Sequence, residues 1–186
     1  MRTLSLHQVE KIDELAWPEN YQEINLQSSA LLVFTDFKKH KPLALNGDLS
    51  AHEAEQLMLN AHVHLKIVLD QTDSFLGVVS LADISHQEIM KKVANGYYHD
   101  DLLVTDFMQS KSSLKTIDFD ELQNASVGDV LRTLKANGQR HCLVIDRKKH
   151  HIRGVVSASD LVRILKLKVD LSLPPSFVDI FNTIHS

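Results

Sequence analysis

A chain of 186 residues can bury roughly 70% of its unfolded surface without a disulfide or metal to staple it, and 44% hydrophobic with 24% charged residues is the balance of an ordinary folded protein. Twenty basic residues against 24 acidic ones leave a net charge of −4, which supplies no overall electrostatic reason to bind nucleic acid. The apolar runs are too short to cross a bilayer and the N-terminal MRTLSLHQVEK has no signal-like apolar core, so a soluble cytoplasmic protein, away from membranes, is expected.

In chain order, Leu6, Val9 and Ile12 predict a helix that starts at Ser5 and ends before Pro18. After Thr35-Asp36-Phe37 comes a short strand, Pro42 to Leu45, and then a helix capped by Ser50 with Ala51, Ala54 and Met58 on its apolar face. The run Ile67-Val68-Leu69-Asp70 reads as a strand, and FLGVVSLADI at 75–84 as a second strand passing into a second helix after Ser80, served by Leu81, Ile84, Ile89, Met90 and Val93.

All of this then recurs. IRGVVSASDL at 152–161 matches FLGVVSLADI at a separation of about 77 residues, and Leu143-Val144-Ile145-Asp146 matches the earlier strand. Ser126 with Val127, Val130 and Leu134 repeats the capped helix, Leu114 to Ile117 the short strand, and Thr105-Asp106-Phe107 the lead-in. The second copy carries about six extra residues, placed in IDFDELQN and expected to form a loop. Its last helix follows Ser157, with Leu161, Ile164 and Leu165 on one face. Beyond Pro174-Pro175, a helix restarts at Ser176 with Phe177, Val178, Ile180, Phe181 and Ile184; it either docks on its own domain or offers a partner surface. The expected fold is therefore α/β (α+β): two repeated β-α-β-β-α halves packed together as one folding unit, with short helical extensions at either end. The divisions are 1–29 for the N-terminal extension, 30–98 and 99–169 for the two halves, and 170–186 for the tail.

The single cysteine, Cys142, excludes an internal disulfide and sits in an apolar run, as a buried strand residue rather than a nucleophile. His62-x-His64 and His150-His151 lack further ligands at metal-site spacing, so no metal is expected. The chain also has no Walker-type loop and no G-x-S-x-G elbow, which argues against an enzyme. Ser80-x-x-Asp83 and Ser157-x-x-Asp160 have two readings. Each can cap a helix, which is worth about 1 kcal/mol. Each can also present a carboxylate and a helix N-terminus to a ligand with paired hydroxyls and an anion, such as a ribose phosphate. Gly77 and Gly154, each inside a strand, indicate a bulge or a close backbone approach.

The repeated Gly-Val-Val-Ser-x-x-Asp, the preceding I-V-L-D and L-V-I-D strands, and the D-F-K and D-F-M lead-ins resemble a tandem pair of CBS domains, the Bateman module, over about Leu31 to Lys168. That resemblance implies two pseudo-symmetric halves packed through their sheets, leaving two equivalent clefts for adenosine-containing ligands (AMP, ADP, ATP or S-adenosylmethionine) bound as regulators, with no resident cofactor. It also implies self-association into a homodimer and signalling to another, regulated protein. By analogy, Asp83 and Asp160 would hold ribose hydroxyls, and Ser80 and Ser157 would orient them or meet phosphate. His64 in the first copy and Arg140-His141 in the second stand where family members place phosphate contacts, and Arg163 could reach the same anion or pair with Asp160. The family's Leu-Pro pair is replaced by Leu65-Lys66 and His141-Cys142, a departure in the adenine-facing wall. The Asp160 motif, with Arg140 beside it, is the expected principal contact; a ligand-free interaction module is the alternative.

Overall fold

The computed structural model describes residues 3–8, 10, 12, 14–16, 23–135, 139–168 and 175–185. Eight strands form two four-stranded sheets. The first copy contributes β2 (Ala44–Asn46), β3 (Leu65–Leu69) and β4 (Phe75–Ser80), with helices α1 (Ala51–Asn60) and α2 (His86–Ala94). The second contributes β6 (Thr116–Asp118), β7 (His141–Asp146) and β8 (His151–Ser157), with α4 (Val127–Leu134) and α5 (Ala158–Ile164).

Each sheet is completed by a strand from the lead-in of the other copy. β1 (Phe34–Asp36) runs antiparallel to β8, and β5 (Gln109–Ser110) runs antiparallel to β4. The strand orders are therefore β1-β8-β7-β6 and β2-β3-β4-β5. This exchange explains the glycines. A Cβ on Gly154 would collide with the Thr35 carbonyl and the Phe34 ring, and one on Gly77 with the Gln109 carbonyl. The bare backbone makes room for the visiting strand, and not directly for a ligand.

The exchange at β1 is also clamped electrostatically. Arg153 on β8 donates to both carboxylate oxygens of Asp36, at 2.7 and 2.6 Å, while its guanidinium lies 4.2 Å from the centre of the Phe119 ring. The pair is largely shielded from water, and the Arg153 hydrogen bonds pull the Asp36 carboxyl down to about 2 despite an opposing push from burial.

Period-2 alternation in the hairpins gives each sheet two apolar faces. Ile67, Val78 and Leu143 pack sheet against sheet. The opposite faces pack under helices: Met58, Val68, Val79, Ile84 and Ile89 in the first copy, and Leu134, Cys142, Val144, Val156 and Leu161 in the second. The caps behave as the sequence implies. Ser50 Oγ accepts from the Glu53 N–H, and Ser126 with Asp129 forms a reciprocal capping box.

Three expectations change. The first copy's second helix starts at His86 instead of following Ser80 directly: Ser80 to Ile84 close into a turn of their own and Ser85 is extended, so the helix restarts. Ser85 gives no side-chain cap; the Glu55 carboxylate on α1 accepts from the His86 N–H at 2.6 Å instead. The extra residues of the second copy form a short helix, α3 (Phe119–Gln123), rather than a loop, because Leu122 finds a fully buried place in the core. The helix expected from Ser5 is absent from residues 3–8, 10, 12 and 14–16, which have no regular structure. Leu6 is 98% exposed and Ile12 82%, and a short helix without a packed face is marginal in water. The tail, by contrast, docks on its own domain: α6 (Phe177–His185) lays Phe177 and Ile180, both fully buried, into the second copy's core. Ser176 caps it reciprocally with Asp179.

Candidate functional site

The two serine-aspartate junctions are not copies in detail. At the end of β8, Ser157 caps α5 by accepting from the Asp160 N–H, and Asp160 Oδ1 accepts from Arg163 at 2.8 Å. At the end of β4, Asp83 Oδ2 accepts from both the backbone N–H and the hydroxyl of Ser80, at 3.0 and 2.6 Å, while Ser80 Oγ accepts in return from the Asp83 N–H. Asp83 thus closes its own turn. Asp160 shares one oxygen with a guanidinium that is 77% exposed, and the other oxygen of each acid, Asp83 Oδ1 and Asp160 Oδ2, has no hydrogen-bond partner among the described residues.

A hollow lies beside each acid. The one at Asp160 has a volume of about 350 Å³ and includes Ser157 and Ser159. Its apolar wall comes from Phe37, Pro42, Leu43 and Leu65, and its basic groups are His40, Lys41 and His64, all from the first copy or its lead-in. The hollow at Asp83 is smaller, about 200 Å³, and is lined by Ser80, Lys115, Gln109, Gln139 and Arg140. His141 reaches both.

This crosses the expected partnership. Arg140 faces Asp83, not Asp160, and the second copy's motif meets His64 instead. The cause is the face-to-face packing of the sheets: each cleft combines the end of one copy's last strand with the start of the other copy's central strand. Arg163 lines neither cleft and stays beside Asp160 as its ion-pair partner. Thr35, Phe37, His40 and Lys41 were not singled out as site residues from the sequence. The signal was present in the matched lead-ins, Thr35-Asp36-Phe37 and Thr105-Asp106-Phe107, whose repetition marks them as part of the unit. Lys66 lines neither cleft; it pairs with Val79 on β4 and occupies the register of Cys142 in β7.

The electrostatics of the shared wall are set by burial. Desolvation, followed by the nearby His64 and Arg140, pushes His141 down to about 4, so its imidazole is neutral at physiological pH. Burial drives the Cys142 thiol up to about 11, which leaves a packing residue rather than a nucleophile. Among the described residues, no group of three or more His, Cys, Asp or Glu side chains could hold a metal, and no helix is long and apolar enough to cross a membrane.

Two exchanged lead-in strands, two duplicated strand-to-helix junctions and two clefts between face-packed sheets make a specific pattern. The family model described as CBS domain matches residues 34–89 and 104–167, more than half of the chain. The protein belongs to the CBS domain family. Solved CBS-pair structures share the fold. The chain is 22% identical to an uncharacterized conserved protein from Pyrococcus horikoshii, with a TM-score of 0.58 over 79% of this chain and 98% of that one. It is 20% identical to TA0289, a conserved CBS domain protein of unknown function from Thermoplasma acidophilum, with a TM-score of 0.52 over 82% and 78%. It is 19% identical to CBSX2 solved in complex with AMP, with a TM-score of 0.52 over 73% and 94%. No curated protein matches this CBS pair.

Proposed function

We propose that this CBS pair is a non-catalytic regulatory module that binds an adenosine-containing ligand, AMP, ADP, ATP or S-adenosylmethionine, in the Asp160 cleft and signals to a partner protein. The observation that carries this reading is the hollow of about 350 Å³ beside Asp160, which joins a carboxylate oxygen without a partner, an apolar wall and a basic rim. The carboxylate accepts from ribose hydroxyls, and Phe37, Pro42 and Leu43 cover the adenine. His64, His40 and Lys41 face the phosphates or the cationic end's carboxylate, the role first given to Arg140. Arg140 and Lys115 with Asp83, Ser80 and His141 form a second, more basic subsite. The AMP complex of CBSX2 makes AMP the first ligand to try. Signalling follows from differential affinity for two arrangements of the halves, and a twofold homodimer is the assembly expected for such a pair.

A second reading, a ligand-free interaction module, is favoured by the hydrogen bonds that already occupy one oxygen of Asp83 and one of Asp160. Thermal denaturation with each of the four ligands separates the two. A ligand at 100 times its dissociation constant adds about 2.7 kcal/mol, a rise of roughly 5 to 10 °C in Tm for a chain of this size. The rise should vanish in Asp160→Ala and persist in Arg140→Ala. No rise with any ligand, or a rise indifferent to Asp160, leaves the interaction module.

A further inference from the structure

The seam between the sheets opens a second time, at the far ends of the hairpins. Both clefts lie where β3 and β7 begin and β4 and β8 end. The second opening lies where those strands end and begin in turn, at the Leu69–Phe75 and Ile145–Ile152 pairs, roughly 13 Å along the strands at about 3.3 Å per residue. It is a cavity of about 360 Å³, walled by Leu69, Phe75, Ile145 and Ile152 and bounded towards the Asp160 cleft by Phe37.

Its polar groups are all of one kind. Lys111, on the segment after β5, His150, on the turn into β8, and His151, at the start of that strand, line it, and no carboxylate does. All three are exposed, and their side chains have no hydrogen-bond or ion-pair partner among the described residues. A nucleoside is a poor match, since no carboxylate lines it to take paired ribose hydroxyls. An apolar body with one anionic head fits: the body displaces water from the aliphatic and aromatic wall, and the head meets the Lys111 amine and imidazole N–H donors.

We propose that this cavity is a separate binding site for a small amphipathic carboxylate, an aryl- or branched alkyl-carboxylic acid, with the ring or chain between Phe75 and Ile152 and the carboxylate at Lys111. The site is independent of the adenosine reading. It gives the module a second chemical input, next to the first because Phe37, Pro42 and Ile67 line both hollows.

Calorimetric titration of the full chain with 3-phenylpropionate, and with the uncharged 3-phenylpropanol, tests it. The acid should bind saturably with one site per chain, and Lys111→Glu, a change at an exposed position that leaves the core untouched, should weaken it by about fivefold or more, the scale of one partly screened charge contact. Lys111→Glu should not weaken the alcohol, and Asp160→Ala should change neither. AMP titrated into the same samples reports the other site separately. Absence of saturation by about 10 mM acid, a weakness beyond any useful recognition, would overturn the proposal. So would equal weakening of acid and alcohol by Lys111→Glu, or loss of acid binding in Asp160→Ala with Lys111→Glu unaffected, which would put the acid in the adenosine cleft.

Discussion

Beside Asp160 the cleft is roomy and apolar-walled, with His40, Lys41 and His64 as its basic groups; beside Asp83 it is smaller and carries Arg140, Lys115 and two glutamines. The backbone positions correspond. Arg140 stands where the other cleft has His64, Lys115 where it has Leu43, and Ala82 where it has Ser159. Two of these differences, Arg140 and Lys115, thus add long cations to the Asp83 cleft at positions where the repeated frame gives the Asp160 cleft an imidazole and an aliphatic side chain. The junctions diverge as well: Asp83 Oδ2 is held by its own Ser80 and Asp160 Oδ1 by Arg163, while each acid keeps its other oxygen without a hydrogen-bond partner among the described residues. A duplicated motif therefore transmits backbone geometry more faithfully than the side-chain chemistry around it. Because the lead-in strands are exchanged, neither cleft belongs to one copy.

That last point gives the largest expected effect. Gly154→Val should drive β1 off β8, since any side chain there meets the Thr35 carbonyl. It would take Thr35 and Phe37 away from the Asp160 cleft and cost about 4 kcal/mol. Gly77→Val should do the same to β5 and Gln109 and spoil the other cleft. Urea unfolding gives the cost, and amide exchange at 34–37 against 109–110 shows which strand has left. If both variants loosen the same strand, the two clefts are not separately held.

His141 belongs to both clefts, so its titration should not distinguish them. Its pKa is about 4 in the folded chain against 6.5 ordinarily, so the unfolded state takes up the proton first. Stability is full above about pH 6.5, falls as the pH drops, and levels off near pH 4, for a loss of up to about 3 kcal/mol. Chemical denaturation between pH 7 and 4 should show this fall, and His141→Asn should flatten it by a similar amount. An unchanged pH profile in the variant would mean that another group carries the acid sensitivity.

The Asp36–Arg153 clamp serves one cleft alone. Asp36→Asn should cost about 2 kcal/mol, less than a fully buried pair because both side chains retain some contact with water. The loss should fall on β1 and spare β5. The Asp36 carboxyl is held at about 2, below its unfolded value, so the contribution is complete above about pH 4 and disappears as the pH falls through about 2. Denaturation midpoints of wild type and variant should therefore converge in strong acid. A constant gap down to pH 2 would remove the electrostatic account of the clamp.

Much of this frame was legible in the residues. The duplicated Gly-Val-Val-Ser-x-x-Asp carries enough identity to reveal the repeat, and the apolar periods of α1 and α4 place their helices, because burial on one face imposes a regular spacing. The exchange of β1 and β5 was not legible. Strands of three and two residues have no period to read, and their partners are set by packing between halves, with Asp36 bonded to a residue 117 positions away. The same distance hid the site's true partnerships. Arg140 is near Ser157 along the hairpin, since the Ala158 N–H donates to the Arg140 carbonyl, but its side chain lines the cleft of the other motif. Apolar spacing misled at Ser5, where Leu6 and Ile12 stand exposed instead of covering a surface.

The smallest expected change in stability is at Arg163, and it speaks most directly to what Asp160 is for. Arg163→Ala removes an exposed i,i+3 ion pair, worth under about 0.5 kcal/mol, so Tm should hardly move. The consequence for binding depends on the carboxylate. If Asp160 only stabilises its helix, removal of Arg163 leaves ligand affinity, or its absence, as it was. If Asp160 accepts from ribose hydroxyls, Arg163 competes for Oδ1 in the free protein and draws away part of its charge. Releasing it should then tighten AMP by about two- to fivefold without altering the stoichiometry, while Arg163→Lys, which retains the charge, should give a smaller gain. Calorimetry on the three proteins makes the comparison. A loss of affinity in Arg163→Ala would mean that the guanidinium contacts the ligand itself, and that the Asp160 cleft draws on the second copy for its cation as well as for its carboxylate.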